Sequence, residues 1–121
     1  MPYSGAKISS DPKQILWHYA LGYMPDFLNK RSGEVGWVRW KHRGVHRTDN
    51  IVFPKRQERY VFNKKFEVRV NTAFEAVVRG CADPGRFRGN TWLVPELIEG
   101  LVALHRMGYA HSWETWMGGD L

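Results

Sequence analysis

The stretch Asn90–Trp116, NTWLVPELIEGLVALHRMGYAHSWETW, decides how this chain is read. Pro95 and Glu96 suit the first turn of a helix, where a missing N–H costs nothing and a negative charge meets the dipole. Leu97, Ile98, Leu101, Leu104 and Met107 then recur at helical spacing and make one apolar face. Gly108 stops that helix. Tyr109–Trp116 follows as a strand. Ala110, Ser112, Glu114 and Trp116 fall on one face; Tyr109, His111, Trp113 and Thr115 fall on the other. A helix running straight into an aromatic-rich strand reads as half of a layered unit. Gly118-Gly119-Asp120 reads as a hairpin beginning to turn.

Working outward, Phe66–Asn71 (FEVRVN) alternates apolar and charged residues, the period of a half-buried strand. Asn71 or Thr72 is placed to cap the next helix, Ala73–Gly80, whose Phe74, Val77 and Val78 share a face. Asp83–Asn90 is rich in Gly, Arg and Pro and reads as an exposed loop. Near the start, Ser10-Asp11-Pro12 opens a helix through Gln14–Leu21, with Ile15, Leu16, Tyr19 and Ala20 apolar and Gly22 as the stop. Residues 1–10 read as a flexible lead. Tyr23–Leu28 reads as an apolar loop, Asn29–Gly36 as a polar turn, and Trp37–Trp40 as a short strand. Pro54–Lys65 (PKRQERYVFNKK) reads as a basic helix. The order α, β, α, β, α, α, β is α+β or α/β. It holds too few strands for a complete doubly wound sheet.

A chain of 121 residues suffices for one modest core. The net charge of +6 permits a polyanionic partner such as RNA without demanding one. The single Cys81 excludes an internal disulfide and points to a reducing compartment; its surroundings read as small core packing. No apolar run is long enough to cross a bilayer, and no leader pattern opens the chain, so no membrane partner and a cytoplasmic location are expected. His18, His42 and His46 match no metal-ligand spacing, so no metal is expected. His111, Ser112 and Glu114 alternate along a strand. His111 therefore points away from the other two, and the trio is not a hydrolase triad. Ser112 and Glu114 read as facing a further strand or a pocket.

From Phe66 onward the residues form a recognisable pattern. Val70-Asn71 precedes Ala73-Phe74, and Gly80-Cys81-Ala82 follows. Then come Thr91-Trp92, Leu104-His105, Gly108, Ala110-His111-Ser112, and Glu114 two residues before Trp116. This resembles the leucyl/phenylalanyl-tRNA–protein transferase family. Upstream, Tyr19-Ala20-Leu21-Gly22-Tyr23-Met24-Pro25, Gly36-Trp37 and Arg43-Gly44-Val45 resemble it more weakly, so that residues 12–121 are covered in order. The resemblance implies an enzyme that moves Leu, Phe or Met from aminoacyl-tRNA to the N-terminal Lys or Arg of an acceptor protein, in the N-degron pathway. No cofactor is implied, because the aminoacyl ester is already activated. The complete enzyme is expected to be a monomer.

The resemblance also implies an organisation. Residues 1–65 would be a small N-terminal α/β domain ending in the basic helix. Residues 66–121 would open an acetyltransferase-like (GNAT-like) domain that is incomplete here. The catalytic residues are expected beyond Leu121, and residues 1–121 alone are expected to be inactive. Asp26 and Leu101 stand where the family carries other pocket side chains, mostly apolar or aromatic.

The site residues follow from the same resemblance. Trp92 would line the pocket for the aminoacyl and adenosine end of the tRNA; the residues alone favour a Trp packed under the next helix. Met24, Pro25 and Phe27 would form a facing wall, or plug the small domain as a buried loop. Lys55, Arg56, Arg59, Lys64 and Lys65 would bind tRNA phosphates, or form a solvated helix face with Glu58. Trp37 and Trp40 read as core or interface residues. A non-catalytic RNA-binding module is the alternative reading of the whole chain.

Overall fold

The computed structural model describes residues 3–63, 65–86 and 89–121. Helix α1 spans Pro12–Ala20, strands β1 and β2 span Met24–Asn29 and Glu34–Val38, and helix α2 spans Lys55–Asn63. Strand β3 (Glu67–Val70), helices α3 (Phe74–Ala82) and α4 (Pro95–Arg106) and strand β4 (Trp113–Trp116) complete the order. The architecture is mixed α and β, with two separate two-stranded antiparallel sheets, β1–β2 and β3–β4.

Local chemistry sets the helix ends. The Asp11 side chain accepts a hydrogen bond from the Lys13 N–H at 3.0 Å, capping α1. At its other end Gly22 takes a positive φ of 83°, and the Tyr23 N–H reaches back to the His18 carbonyl at 2.9 Å. Helix α4 ends the same way: Gly108 has φ of 83°, and the Tyr109 N–H donates to the Leu104 carbonyl. Both glycines were legible as stops. Met107 lies just past that end and is exposed, so it leaves the apolar face expected of it.

Helix α4 is the hub of packing. Leu97 and Leu104 join Ile15 of α1 and Trp37 of β2 in one buried cluster. Ile98, one residue round the helix, joins Phe74 and Val78 of α3 in a second. Leu93, Leu101 and Ala110 pack against both. Each fully buried aliphatic side chain contributes about 1.5–3 kcal/mol. The α1–α4 crossing is close: a Cβ on Gly100 would lie 2.0 Å from Ile15 Cδ1 and 3.2 Å from the Ser10 carbonyl oxygen.

Three expectations for the N-terminal third change. Residues 23–28 are not a loop: Met24–Asn29 pairs antiparallel with β2, Met24 opposite Val38 and Pro25 opposite Trp37. Pro25 and Gly22 hide the strand in the sequence, but a hairpin edge tolerates proline. The second strand is correspondingly Glu34–Val38, earlier than Trp37–Trp40. The lead is anchored as well. The Ser4 N–H donates to the Trp37 carbonyl, Tyr3 bridges Val38, and Ala6 and Ile8 pack on the core. His18, considered above with His42 and His46, is buried in α1. It stacks on Trp37 at 4.4 Å and donates from Nδ1 to the Gln14 carbonyl at 2.8 Å.

In the second sheet the expected sidedness is reversed for β3. Val68 and Val70 face outward with Trp113 and Thr115 opposite them, while Arg69 is half-buried opposite Glu114. The inward face serves a buried carboxylate instead of an apolar core. After β4, Met117 and Asp120 exchange both backbone hydrogen bonds around Gly118 and Gly119, which have φ of 61° and 89°. That is the two-residue hairpin turn the glycines suggested. Cys81 is exposed, not a core residue, because it lies on the outer side of the last turn of α3.

Candidate functional site

Glu114 is the most constrained polar group among the described residues, with only 1% of its surface exposed. The alternation of β4 turns it inward beside Ser112 and Trp116, beneath the N-terminus of α3. Neither Asn71 nor Thr72 caps that helix with its own side chain. The Glu114 carboxylate does so from the neighbouring strand. It accepts from the Thr72 N–H at 2.9 Å, the Ala73 N–H at 2.8 Å and the Thr72 hydroxyl. It also accepts from the Ser112 hydroxyl at 2.7 Å and the Trp116 indole at 3.2 Å. Burial disfavours its charge, but the hydrogen bonds from Thr72, Ser112, Ala73 and Trp116 outweigh that and lower its pKa to about 2. Ser112 and Glu114 thus face the start of a helix, not a further strand or a pocket.

Asn71 joins the same corner. Its φ of 60° is left-handed, its Oδ1 accepts from the Ser112 N–H at 3.0 Å, and its Nδ2 donates to His111 Nδ1 at 3.0 Å. His105 supports α3 from α4, stacking flat on Phe74 at 4.2 Å and donating from Nδ1 to the Ala110 carbonyl. The sequence carried a signal for Glu114, the shared face of Ser112, Glu114 and Trp116. Nothing in it marked α3 as the partner.

Trp92 sits half-buried just before α4, where it packs against the Ile15, Trp37, Leu97 and Leu104 cluster. Pro25 is buried opposite Trp37 in the hairpin; Met24 and Phe27 are half-buried. Trp92 thus packs on the cluster that holds Trp37, and Pro25 is the strand partner of Trp37. A groove of about 400 Å³ opens between the β1–β2 turn and the start of α4, lined by Ser32, Gly33, Asn90, Thr91 and Leu93.

The basic residues lie elsewhere. Lys55, Arg56 and Arg59 are exposed on α2, and Lys65 is exposed just after it; Lys64 lies outside the described residues. Arg56 and Arg59 share an open groove of about 540 Å³ with Gln57, Tyr60 and Asn63. Among the described residues no group of three or more His, Cys, Asp or Glu side chains could hold a metal, and no helix is long and apolar enough to cross a membrane.

Fold and surface together define a small mixed α and β protein with a cationic helical arm. Comparison with known proteins gives it a family. The model of the leucyl/phenylalanyl-tRNA protein transferase family matches residues 45–121. The leucyl/phenylalanyl-tRNA–protein transferase of Chlorobaculum parvum is 37% identical over 90% of this chain and 56% of its own length. That of Gloeobacter violaceus is 34% identical over 94% of this chain and 56% of its own length. That of Chromobacterium violaceum is 36% identical over 98% of this chain and 49% of its own length. The chain belongs to this family, and it spans about half the length of the curated relatives it matches.

Proposed function

We propose that this chain is the N-terminal portion of an aminoacyl-tRNA–protein transferase that transfers Leu, Phe or Met to the N-terminal Lys or Arg of an acceptor protein, marking it for degradation. The observation that carries the reading is the continuous similarity to transferases of that name over at least nine-tenths of the chain. In the reaction the acceptor α-amine attacks the ester carbonyl carbon. A C–N bond forms, the C–O bond to the tRNA ribose breaks, the amine loses a proton, and the ribose oxygen gains one. Catalysis needs the ester and the amine held in line and the oxyanion stabilised.

In this reading Trp92 walls the pocket for the aminoacyl-adenosine end, and Met24, Pro25 and Phe27 form the side reached through Trp37. Its support is that Trp92 packs on the cluster holding Trp37 and that Pro25 pairs with Trp37 in the hairpin. Lys55, Arg56, Arg59, Lys64 and Lys65 contact tRNA phosphates; the exposure of the four described ones leaves them free to do so. Residues 66–121 open a second, acetyltransferase-like domain, and the proton-handling residues lie beyond Leu121. The exposed outer face of Val68, Val70 and Trp113 supports this, since such a face is one that further structure would cover. We place the protein in the cytoplasm, where aminoacyl-tRNA is made and used.

The exposure of α2 also favours a second reading, an RNA-binding module without chemistry. Transfer of labelled Leu or Phe to a peptide beginning with Arg separates the two. The full-length reading frame is expected to transfer the label, and residues 1–121 alone are not. No transfer by the full-length protein overturns the enzyme reading; turnover by residues 1–121 overturns the assignment of catalysis to residues beyond them.

A further inference from the structure

We infer that residues 39–65 form a docking arm for an anionic lipid surface, seated through an apolar groove beside α2. The inference goes beyond the transferase reading and does not depend on it. It begins with where the charge lies. Residues 39–65 carry nine Lys and Arg against Asp49 and Glu58, a net charge of +7 in a chain whose total is +6. The rest of the molecule is therefore close to neutral. Arg47 is paired with Asp49, whereas Lys41, Lys55, Arg56, Arg59 and Lys65 make no ion pair among the described residues.

Charge alone would suit any polyanion, but the arm also gathers apolar side chains. Ile51, Val52 and Phe53 in the stretch before α2 enclose an open groove of about 440 Å³ with Val61 and Phe62 of the helix. Phe53 is 65% exposed and Phe62 78%. Phosphate groups would leave that groove bare, whereas acyl chains fill it. Val61 and Phe62 follow Glu58 by three and four residues, so the groove takes one side of the helix. Arg56 and Arg59 line a different groove. A helix with one apolar and one basic side lies in a membrane interface, apolar side down, with its long cations reaching the headgroups. Such a helix rests on the surface without crossing it, and no described helix is long and apolar enough to cross. Charge complementarity selects the lipid, one with an anionic headgroup. Glu58 is the one acid lining the groove, so it opposes that surface and its neutralisation is diagnostic.

The test is co-sedimentation of the 121-residue chain with vesicles of phosphatidylcholine, alone or with about 30% phosphatidylglycerol. Binding to the anionic vesicles is expected to be at least about tenfold tighter, and to weaken as salt is raised. Phe53→Ser with Phe62→Ser should weaken it at least about fivefold without changing the salt dependence, since the lost contact is apolar. Lys55→Ala, Arg56→Ala and Arg59→Ala together should weaken it about tenfold or more and flatten the salt dependence. Glu58→Gln should strengthen it about two- to fivefold. All these residues are exposed, and a melting temperature close to the parent's confirms that each variant is folded. No binding to anionic vesicles, or equal binding to both kinds, overturns the inference. Binding that ignores the two phenylalanines is adsorption by charge and overturns it as well. A Glu58→Gln variant that binds more weakly would show the groove facing a cation, not an anionic surface, with the same consequence. A dimer that forms with rising concentration and is dissolved by Phe62→Ser would assign the groove to a second copy and overturn the lipid assignment. None of these outcomes alters the transfer assay, which decides the proposed function separately.

Discussion

Helix α4 and helix α2 both carry apolar side chains and meet opposite fates. In α4, Leu97, Ile98 and Leu104 are buried in two clusters. In α2, no residue is buried; every residue from 39 to 63 is exposed, including Val45, Ile51, Val52, Phe53, Val61 and Phe62. The difference lies in how many apolar residues each helix carries and in what packs against it: α1 and α3 pack on α4. The apolar positions of α4 form a stripe that two other helices and a strand can cover. In α2, Val61 and Phe62 instead line an open groove with Ile51, Val52 and Phe53, and all five stay exposed.

The contrast can be broken from either side. The largest effect is expected for Leu97→Ala, which empties the centre of the main cluster and should cost about 2–5 kcal/mol in urea unfolding. A loss below 1 kcal/mol would show that α4 is not the hub. Next comes Glu114→Gln. Five donors converge on two carboxylate oxygens, and an amide replaces one acceptor with another donor, leaving buried groups unpaired. The variant should melt well below the parent at neutral pH.

The same residue predicts a pH profile. Its folded pKa of about 2 lies below the ordinary 4.5, so its stabilisation is fully present above pH 4.5 and is lost as the pH falls toward 2. A melting temperature measured from pH 6 to pH 2 should show that segment in the parent, and Glu114→Gln should lose it. A smaller loss, about 1–3 kcal/mol, is expected for Gly100→Ala, whose new Cβ meets Ile15 and the Ser10 carbonyl. Pairing it with Ile15→Val should recover part of that loss, since Ile15 Cδ1 is the nearer contact. The smallest effect belongs to α2: Phe62→Ser should change stability by less than about 0.5 kcal/mol, as an exposed site away from the core. A larger change would mean that α2 packs in solution.

Some of this was legible from residues alone, and the pattern of success is physical. Asp11, Gly22 and Gly108 act within four or five residues of themselves, so their capping and stopping roles could be read locally. The face of Ser112, Glu114 and Trp116 follows from the two-residue period of a strand, and the structure keeps it. Strand β1 was missed because Pro25 and Gly22 are loop signals, and only pairing with β2 makes a strand of the segment. The exposed Cys81 was misread for a related reason. Burial of a helical residue depends on which side its neighbours occupy, and the sequence does not name those neighbours.

The sequence by itself determined the helices, their stops, the cationic arm and the family to which the chain belongs, because these rest on short-range periodicity and on ordered motifs. Tertiary structure alone decided that Val68 and Val70 face outward, that Trp92 packs on the cluster holding Trp37, and that Glu114 caps a helix forty residues away. Those outcomes depend on which surfaces meet. A buried carboxylate is stable only where several donors converge on it, and that convergence exists only in the folded chain.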